Sequence, residues 1–229
     1  MKATDTKDPE YFHKVVDCQY ACPAHTPVPE YIRLIAAGRY TDAYMVNWES
    51  NVFPGILGRT CDRPCEPACR RGRIEEEAVA ICRLKRVAAD NKDEVSHLLP
   101  TAPAEGNGKR IALIGAGPAS LTVARDLAPL GYQIDLYDDQ PVGGGFMRSQ
   151  IPAFRLPPEV LNEEVDYILN MGIRQHFQTY VSSLKSVLQQ GYNAVFIGTG
   201  APRGSDLDIP GREAFDKSIH VGIDWLASV

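Results

Sequence analysis

Six cysteines and two clusters of glycine are the residues best suited to do chemistry in this chain of 229 residues. Cys18, Cys22, Cys61, Cys65, Cys69 and Cys82 all lie in the first 82 residues, and none follows. Thiols gathered into one third of a chain point to a shared task. In a reducing compartment that task is a metal or iron–sulfur centre, or a redox pair, because the thiolate is both a soft ligand and a good nucleophile. A disulfide framework belongs to short secreted chains, a description this sequence does not meet. Exchange between Cys18 and Cys22 is the weaker redox reading, since reactive pairs usually have two intervening residues rather than three.

The glycines carry a second signal. In RIALIGAGPASLTVARDL, Gly115, Gly117 and Ser120 stand in a G-x-G-x-x-S arrangement between an apolar strand and a helix. Gly115 permits a tight turn, Gly117 lets the backbone approach a pyrophosphate, and the helix N-terminus offers free N–H groups to it. The third position usually holds Gly or Ala, so Ser120 is a mild departure. Asp138 closes the next strand, where a carboxylate reads a ribose hydroxyl and repels a 2′-phosphate, which favours FAD or NAD over NADP. Gly143, Gly144 and Gly145 form a second glycine loop soon after, suited to a longer cofactor lying on the backbone, and so favour FAD. Tyr192–Gly200 ends in Gly-Thr-Gly, but Pro202 and Gly204 oppose a following helix. It reads as the exit from the domain rather than a second fingerprint.

These residues need elements to hold them. Helical spacing predicts helices over Pro27–Gly38 and Asp42–Asn51, a loop over Asn51–Gly58, and a helix over Glu75–Asp90 with acids in its first turn. A Pro- and Gly-rich stretch over Lys92–Lys109 reads as a linker. Strands are predicted at Arg110–Ile114, Gln133–Tyr137 and Ala194–Ile197, with helices at Pro118–Leu130 and Leu156–Met171. That alternation is a doubly wound α/β domain with a parallel sheet. The expected division is a helical domain over 1–92, a linker over 93–108 and a dinucleotide-binding domain over 109–229.

Composition narrows the classes further. With 44% hydrophobic and 23% charged residues the chain is globular. Its 24 basic against 29 acidic residues give a net charge of −5, which argues against a nucleic-acid partner. No apolar run is long enough to cross a bilayer, and MKATDTKDPEYFHK has no apolar signal core, so a cytoplasmic protein without membrane insertion is expected. No GxSxG, HExxH or Walker loop occurs, and the histidines (His13, His25, His97, His176, His220) are scattered.

Several stretches together resemble the flavoprotein family of the glutamate synthase small subunit, which also includes the N-terminal half of dihydropyrimidine dehydrogenase. They are CxxxCP at Cys18–Pro23, GRTCDRPCEPACRRG at Gly58–Gly72, AVAICRLKR at Ala78–Arg86, GAGPASL at Gly115–Leu121, VGGGFMRSQIPAFRLP at Val142–Pro157 and AVFIGTGA at Ala194–Ala201. The resemblance implies an all-α, ferredoxin-like iron–sulfur domain followed by an FAD domain. It implies that Gly115, Ala116, Gly117, Pro118 and Ala119 line the FAD pyrophosphate and Asp138 binds its ribose. Gly144, Gly145 and Phe146 would approach the cofactor, Arg155 and Val181 its adenine side. Thr60, beside Cys61, matches a position whose backbone touches the flavin.

The departures matter as much. The family's first cluster begins with a CxxC before the CxxxCP element, where this chain has KDPEYFHKVVD. Cys18 and Cys69 match the surviving half of that ligand set, so a complete first cluster is not expected. The second cluster in the family uses positions matching Cys22, Cys61 and Cys65 with a Gln or Glu that falls here on Lys85. Cys82, three residues earlier, is expected to replace it, giving one [4Fe–4S] cluster on Cys22, Cys61, Cys65 and Cys82, with sets including Cys18 or Cys69 as alternatives. Structural zinc and a domain of free thiols are the competing readings. Arg59, Arg63, Arg70, Arg71 and Arg83 are expected to offset the cluster's charge. Family members continue into an NAD(P)H domain absent from this sequence. The implied function is NAD(P)H-dependent oxidoreduction, with FAD exchanging electrons with a cluster and a partner redox subunit or the missing domain completing the path. The alternative is a non-catalytic binding module that keeps the dinucleotide fold.

Overall fold

The computed structural model describes residues 16–205 and 207–228, and the chain divides after Leu98 into two units. His13 lies outside the described residues.

The first unit is helical: α1 (Asp17–Ala21), α2 (Val28–Ala36), α3 (Tyr40–Asn51), α4 (Pro54–Thr60) and α5 (Ile81–Asn91). Pro29 sits in the first turn of α2, where its missing N–H costs nothing, and Gly38 at φ 73° turns the chain out of it. Val28, Tyr31 and Leu34 on one face of α2 pack with Ala43 of α3, Ile81 and Ala88 of α5, and Cys65. Each buried aliphatic side chain in such a cluster contributes roughly 1.5–3 kcal/mol. The Tyr31 hydroxyl also donates to the Ile81 carbonyl at 3.1 Å, tying α2 to the start of α5.

Two expectations for this unit are corrected. The segment read as a loop contains α4, which begins at Pro54 and runs to Thr60. Gly58 is no breaker there: a Cβ on it would stand 2.8 Å from the Arg86 backbone, so its smallness lets α4 lie against α5. The helix expected from Glu75 starts only at Ile81, and Glu75–Glu77 precede it. The carboxylate that serves its N-terminus is Glu66, whose Oε1 accepts the Cys82 N–H at 3.0 Å. A tertiary partner has taken the place the local acids were expected to fill.

The second unit is a parallel sheet of β1 (Arg110–Ile114), β2 (Gln133–Tyr137), β3 (Arg174–His176) and β4 (Ala194–Ile197), in the order β3-β2-β1-β4. Its helices are α6 (Pro118–Leu127), α7 (Phe146–Ser149), α8 (Pro158–Leu169), α9 (Leu184–Leu188) and α10 (Gly222–Ala227). Leu113 pairs in register with Leu136 and with Phe196, and Leu113, Leu121, Leu136 and Ile168 are fully buried. The strand order reverses between β1 and β4, which places the ligand crevice outside the carboxyl ends of those two strands. Among the described residues no helix is long and apolar enough to cross a membrane.

Candidate functional site

Three glycine-bearing loops meet at the carboxyl ends of the strands. Gly115 leaves β1 at φ 94°, and its N–H donates to the Tyr137 carbonyl at 2.7 Å. A Cβ on Gly115 would stand 2.6 Å from the Gly198 carbonyl oxygen, so neither the conformation nor the space admits a side chain. Gly144 donates to the Ala116 carbonyl at 2.9 Å, and a Cβ on Gly145 would stand 2.7 Å from Gly117 Cα. The second glycine loop thus lies directly on the first. Gly117 caps α6 without a side chain, leaving its first-turn N–H groups uncapped by any side chain, with Pro118 and Ala119 following.

Asp138 is held beside this turn. Its Oδ2 accepts the Ala116 N–H at 2.5 Å and its Oδ1 the Gln140 N–H at 2.8 Å. Phe146 opens α7 with its ring exposed, Arg155 is exposed in the loop before α8, and Val181 packs against the apolar cluster of Ala112, Ile114, Val187 and Tyr192. Sequence reasoning missed the role of Gly198. Ser120 is fully buried, its hydroxyl has no hydrogen-bond partner, and a Cβ on Gly198 would stand only 2.2 Å from it. The larger third residue of the fingerprint is thus matched by a glycine at the end of β4. The signal was present in the Gly-Thr-Gly that was read only as an exit.

A polar cluster lies within the same sheet. Asp135 is 3% exposed and faces Arg174 at 3.1 Å, Arg110 at 3.2 Å and His176 Nε2 at 2.9 Å. Burial pushes its carboxyl up, but these donors outweigh burial and hold it below the usual carboxylate range. Tyr137 stacks on His176 with ring centroids 4.5 Å apart and shares a 2.7 Å hydrogen bond with the Tyr192 hydroxyl. These contacts explain why the polar triplet Arg174–His176 forms a strand that apolar patterning did not predict.

The cysteines of the first unit divide into groups. Cys22 from one segment and Cys61 and Cys65 from another line one cavity of about 200 Å³ with Tyr31, Ile81 and Lys85. Cys22 is anchored through Thr26, whose Oγ1 lies 3.4 Å from Cys22 Sγ and accepts Asn51 Nδ2 at 2.6 Å. Thr60 ends α4, its hydroxyl donating back to the Ile56 carbonyl at 2.9 Å, and Cys61 follows directly. Cys82 is buried on α5 and hydrogen-bonded to Cys61, with its sulfur 3.4 Å from the Leu57 and Gly58 carbonyls. That hydrogen bond, with the Arg63 N–H and the charge of Lys85, outweighs burial and draws the Cys61 thiol down to about 5. Burial pushes the Cys65 thiol up to about 11. Cys82, donor to Cys61 and buried, is raised.

Cys18 and Cys69 lie near one another, and the charge of one raises the thiol of the other after burial has done so. No group of three or more His, Cys, Asp or Glu residues among the described residues is drawn together at metal-holding distances. The expected arginine screen also differs. Arg59 pairs with Asp90 at 2.6 Å, Arg70 with Asp17 at 2.7 Å and Arg71 with Glu75 at 2.6 Å, so these charges are committed to carboxylates. The cation in the cysteine cavity is Lys85, 5% exposed. Its signal was its position four residues after Ile81 and three before Ala88, on the buried stripe of α5.

Comparison with known proteins adds the decisive observation. Residues 12–97 match the family described as dihydropyrimidine dehydrogenase domain II, 4Fe–4S cluster. Over those residues the chain is similar to an iron–sulfur domain of an oxidoreductase. Over 91% of its length it is 35% identical to the NADP(+)-dependent formate dehydrogenase subunit beta of Moorella thermoacetica, of which it covers 33%. Over 97% it is 33% identical to the NADPH-Fe(3+) oxidoreductase subunit beta of Geobacter sulfurreducens, of which it covers 34%. Over 90% it is 34% identical to the NAD-dependent dihydropyrimidine dehydrogenase subunit PreT homolog of Salmonella typhi, of which it covers 49%. The chain therefore spans a third to a half of the length of these relatives.

Both sites carry donor groups of suitable chemistry, although Cys82 does not line the cavity of Cys22, Cys61 and Cys65. The glycine cradle is closed to a Cβ at Gly115, Gly145 and Gly198 but open to a pyrophosphate along uncapped N–H groups. The cysteine cavity presents thiols, the donor atoms an iron–sulfur cluster takes.

Proposed function

We propose that this chain is the flavin and iron–sulfur portion of an NAD(P)H-dependent electron-transfer oxidoreductase, with FAD in the second unit and one [4Fe–4S] cluster in the first. The observation that carries the reading is the convergence of Cys22, Cys61 and Cys65 on one cavity from segments as much as 43 residues apart (65 − 22 = 43) in the family's iron–sulfur domain. When bound, FAD accepts electrons as a pair and the cluster accepts them singly.

The chain's own residues have definite tasks in this reading. Gly115, Ala116, Gly117, Pro118 and Ala119 bind the pyrophosphate through backbone N–H groups, and Asp138 accepts ribose hydroxyls in exchange for its backbone partners. Gly144, Gly145 and Phe146 hold the second glycine loop against the cofactor, with Arg155 and Val181 toward its adenine side. Cys22, Cys61, Cys65 and Cys82 ligate the cluster. Cys82 becomes the fourth ligand when its proton is lost and its bond to Cys61 opens, because metal binding requires deprotonated thiols. Cys18 and Cys69 stay outside this set. Thr60 positions Cys61 by ending α4. The relatives' names, each carrying a nicotinamide cofactor and a subunit designation, support electron exchange with NAD(P)H and a partner subunit.

The test is anaerobic purification with a visible spectrum and quantification of iron, sulfide and flavin. About four irons and about four sulfides per chain, with flavin, are expected of a cluster held by four thiolates. Replacing Cys82 by Ser is expected to lower iron content at least twofold while flavin is retained. A colourless protein holding zinc or no metal overturns the mechanism and leaves a binding module.

A further inference from the structure

We infer that Lys85 sets the reduction potential of the cluster by holding a buried positive charge against it, an inference that rests on the cluster reading above. Lys85 belongs to the buried stripe of α5, with Ile81, Cys82 and Ala88. It is 5% exposed and lines the same cavity as Cys22, Cys61 and Cys65. An ammonium taken out of water is strongly unfavourable unless something nearby carries negative charge. Among the described residues no carboxylate forms an ion pair with Lys85, whereas three thiols, those of Cys22, Cys61 and Cys65, line the cavity with it. Arg59, Arg70 and Arg71 are paired with carboxylates, and Arg63, 46% exposed and 3.9 Å from Glu66, does not line the cavity.

The consequence follows from charge balance. Four thiolates give the bound cluster a net negative charge, and reduction adds one electron and therefore one more negative charge. A cation fixed in a poorly hydrated cavity interacts more strongly with the reduced form than with the oxidised form. Lys85 thus raises the potential and favours electron acceptance. A neutral side chain of similar length should lower it, and an arginine, which keeps the charge, should restore it.

The experiment is an anaerobic redox titration, with dithionite as reductant, of the reconstituted full chain followed by electron paramagnetic resonance. Wild type, Lys85→Met, Lys85→Leu and Lys85→Arg are compared. The neutral variants are expected to bind iron and show at least a tenfold smaller one-electron equilibrium constant, a fall of about 59 mV or more. Lys85→Arg is expected to recover most of that shift. An iron-replete neutral variant with the wild-type potential overturns the inference. Loss of iron from both neutral variants overturns it too, because Lys85 would then be needed for assembly rather than for potential. Wild-type chain without iron after reconstitution removes the cluster reading itself, a result distinct from the other two.

Discussion

The two units build their sites from different material. In the second, the crevice is made of backbone: a Cβ added at Gly115 or Gly145 would collide with main chain, and one at Gly198 with the Ser120 hydroxyl. In the first, the cavity is made of side chains, and its character depends on which atoms end each one: sulfur at Cys22, Cys61 and Cys65, nitrogen at Lys85. A backbone site fails by strain when a small residue is enlarged. A side-chain site fails by lost chemistry when one atom is exchanged, and its fold survives.

The widest separation should come from one substitution in each unit. Gly115→Ala forces a side chain to φ 94° and places its Cβ 2.6 Å from a carbonyl oxygen. Backbone strain of 1–3 kcal/mol and overpacking of similar size together predict a loss of about 3–5 kcal/mol in the second unit. Flavin retention should fall below a tenth of wild type while iron content is unchanged. Cys61→Ser should do the reverse, removing most of the iron and leaving flavin and helical content intact. Flavin and iron quantification of both proteins reads this directly. If the two substitutions produced the same losses, the two sites would not be separable in this way.

The same contrast explains what the sequence revealed. Strands β1, β2 and β4 and the glycine turn were legible because backbone sites leave a local pattern: an apolar run, then glycines at fixed spacing, then an acid. β3 was not, because Arg174–His176 has no apolar signature and is held by Asp135 from the neighbouring strand. Gly58 was misread for a related reason. Its glycine suggested a loop, while the partner that requires it, Arg86, lies far along the chain. Glu75–Glu77 promised a helix start that Glu66 supplies instead. In the cysteine unit the residue types were legible, but the buried place of Lys85 required knowing which face of α5 turns inward.

Asp138 tests whether the second unit is purely a backbone site. Its carboxylate accepts two backbone N–H groups, from Ala116, which is fully buried, and from Gln140, which is exposed. Asp138→Ala leaves the first of these unpaired, a cost of about 1–3 kcal/mol that the fold should survive. Flavin affinity should fall about 10–100-fold, the size of one or two charge-assisted hydrogen bonds at roughly 1.5–3 kcal/mol. Fluorescence titration with FAD measures it. A much smaller effect would mean that the glycine loops alone hold the nucleotide, which would sharpen the contrast with the first unit.

The smallest effect belongs to Asp135, a buried place where the second unit depends on side-chain charge. Removing the carboxylate leaves Arg110, Arg174 and His176 facing one another, but the two arginine side chains are 36% and 53% exposed and can turn to water. Asp135→Asn is therefore expected to cost about 1–3 kcal/mol rather than the 3–5 of a fully buried broken pair. The pH dependence has a definite sign. The folded carboxyl is held below its ordinary value, so its contribution is complete above the unfolded pKa of about 3.9 and is lost as pH falls through the lower folded value. Wild type and variant should differ most near neutral pH and converge as pH falls through that lower folded value. Hydrogen exchange of the β2 amides at pH 7 and pH 3 would show this. A gap that widened in acid would mean that the arginines and His176, rather than the carboxylate they surround, set the stability of this edge of the sheet.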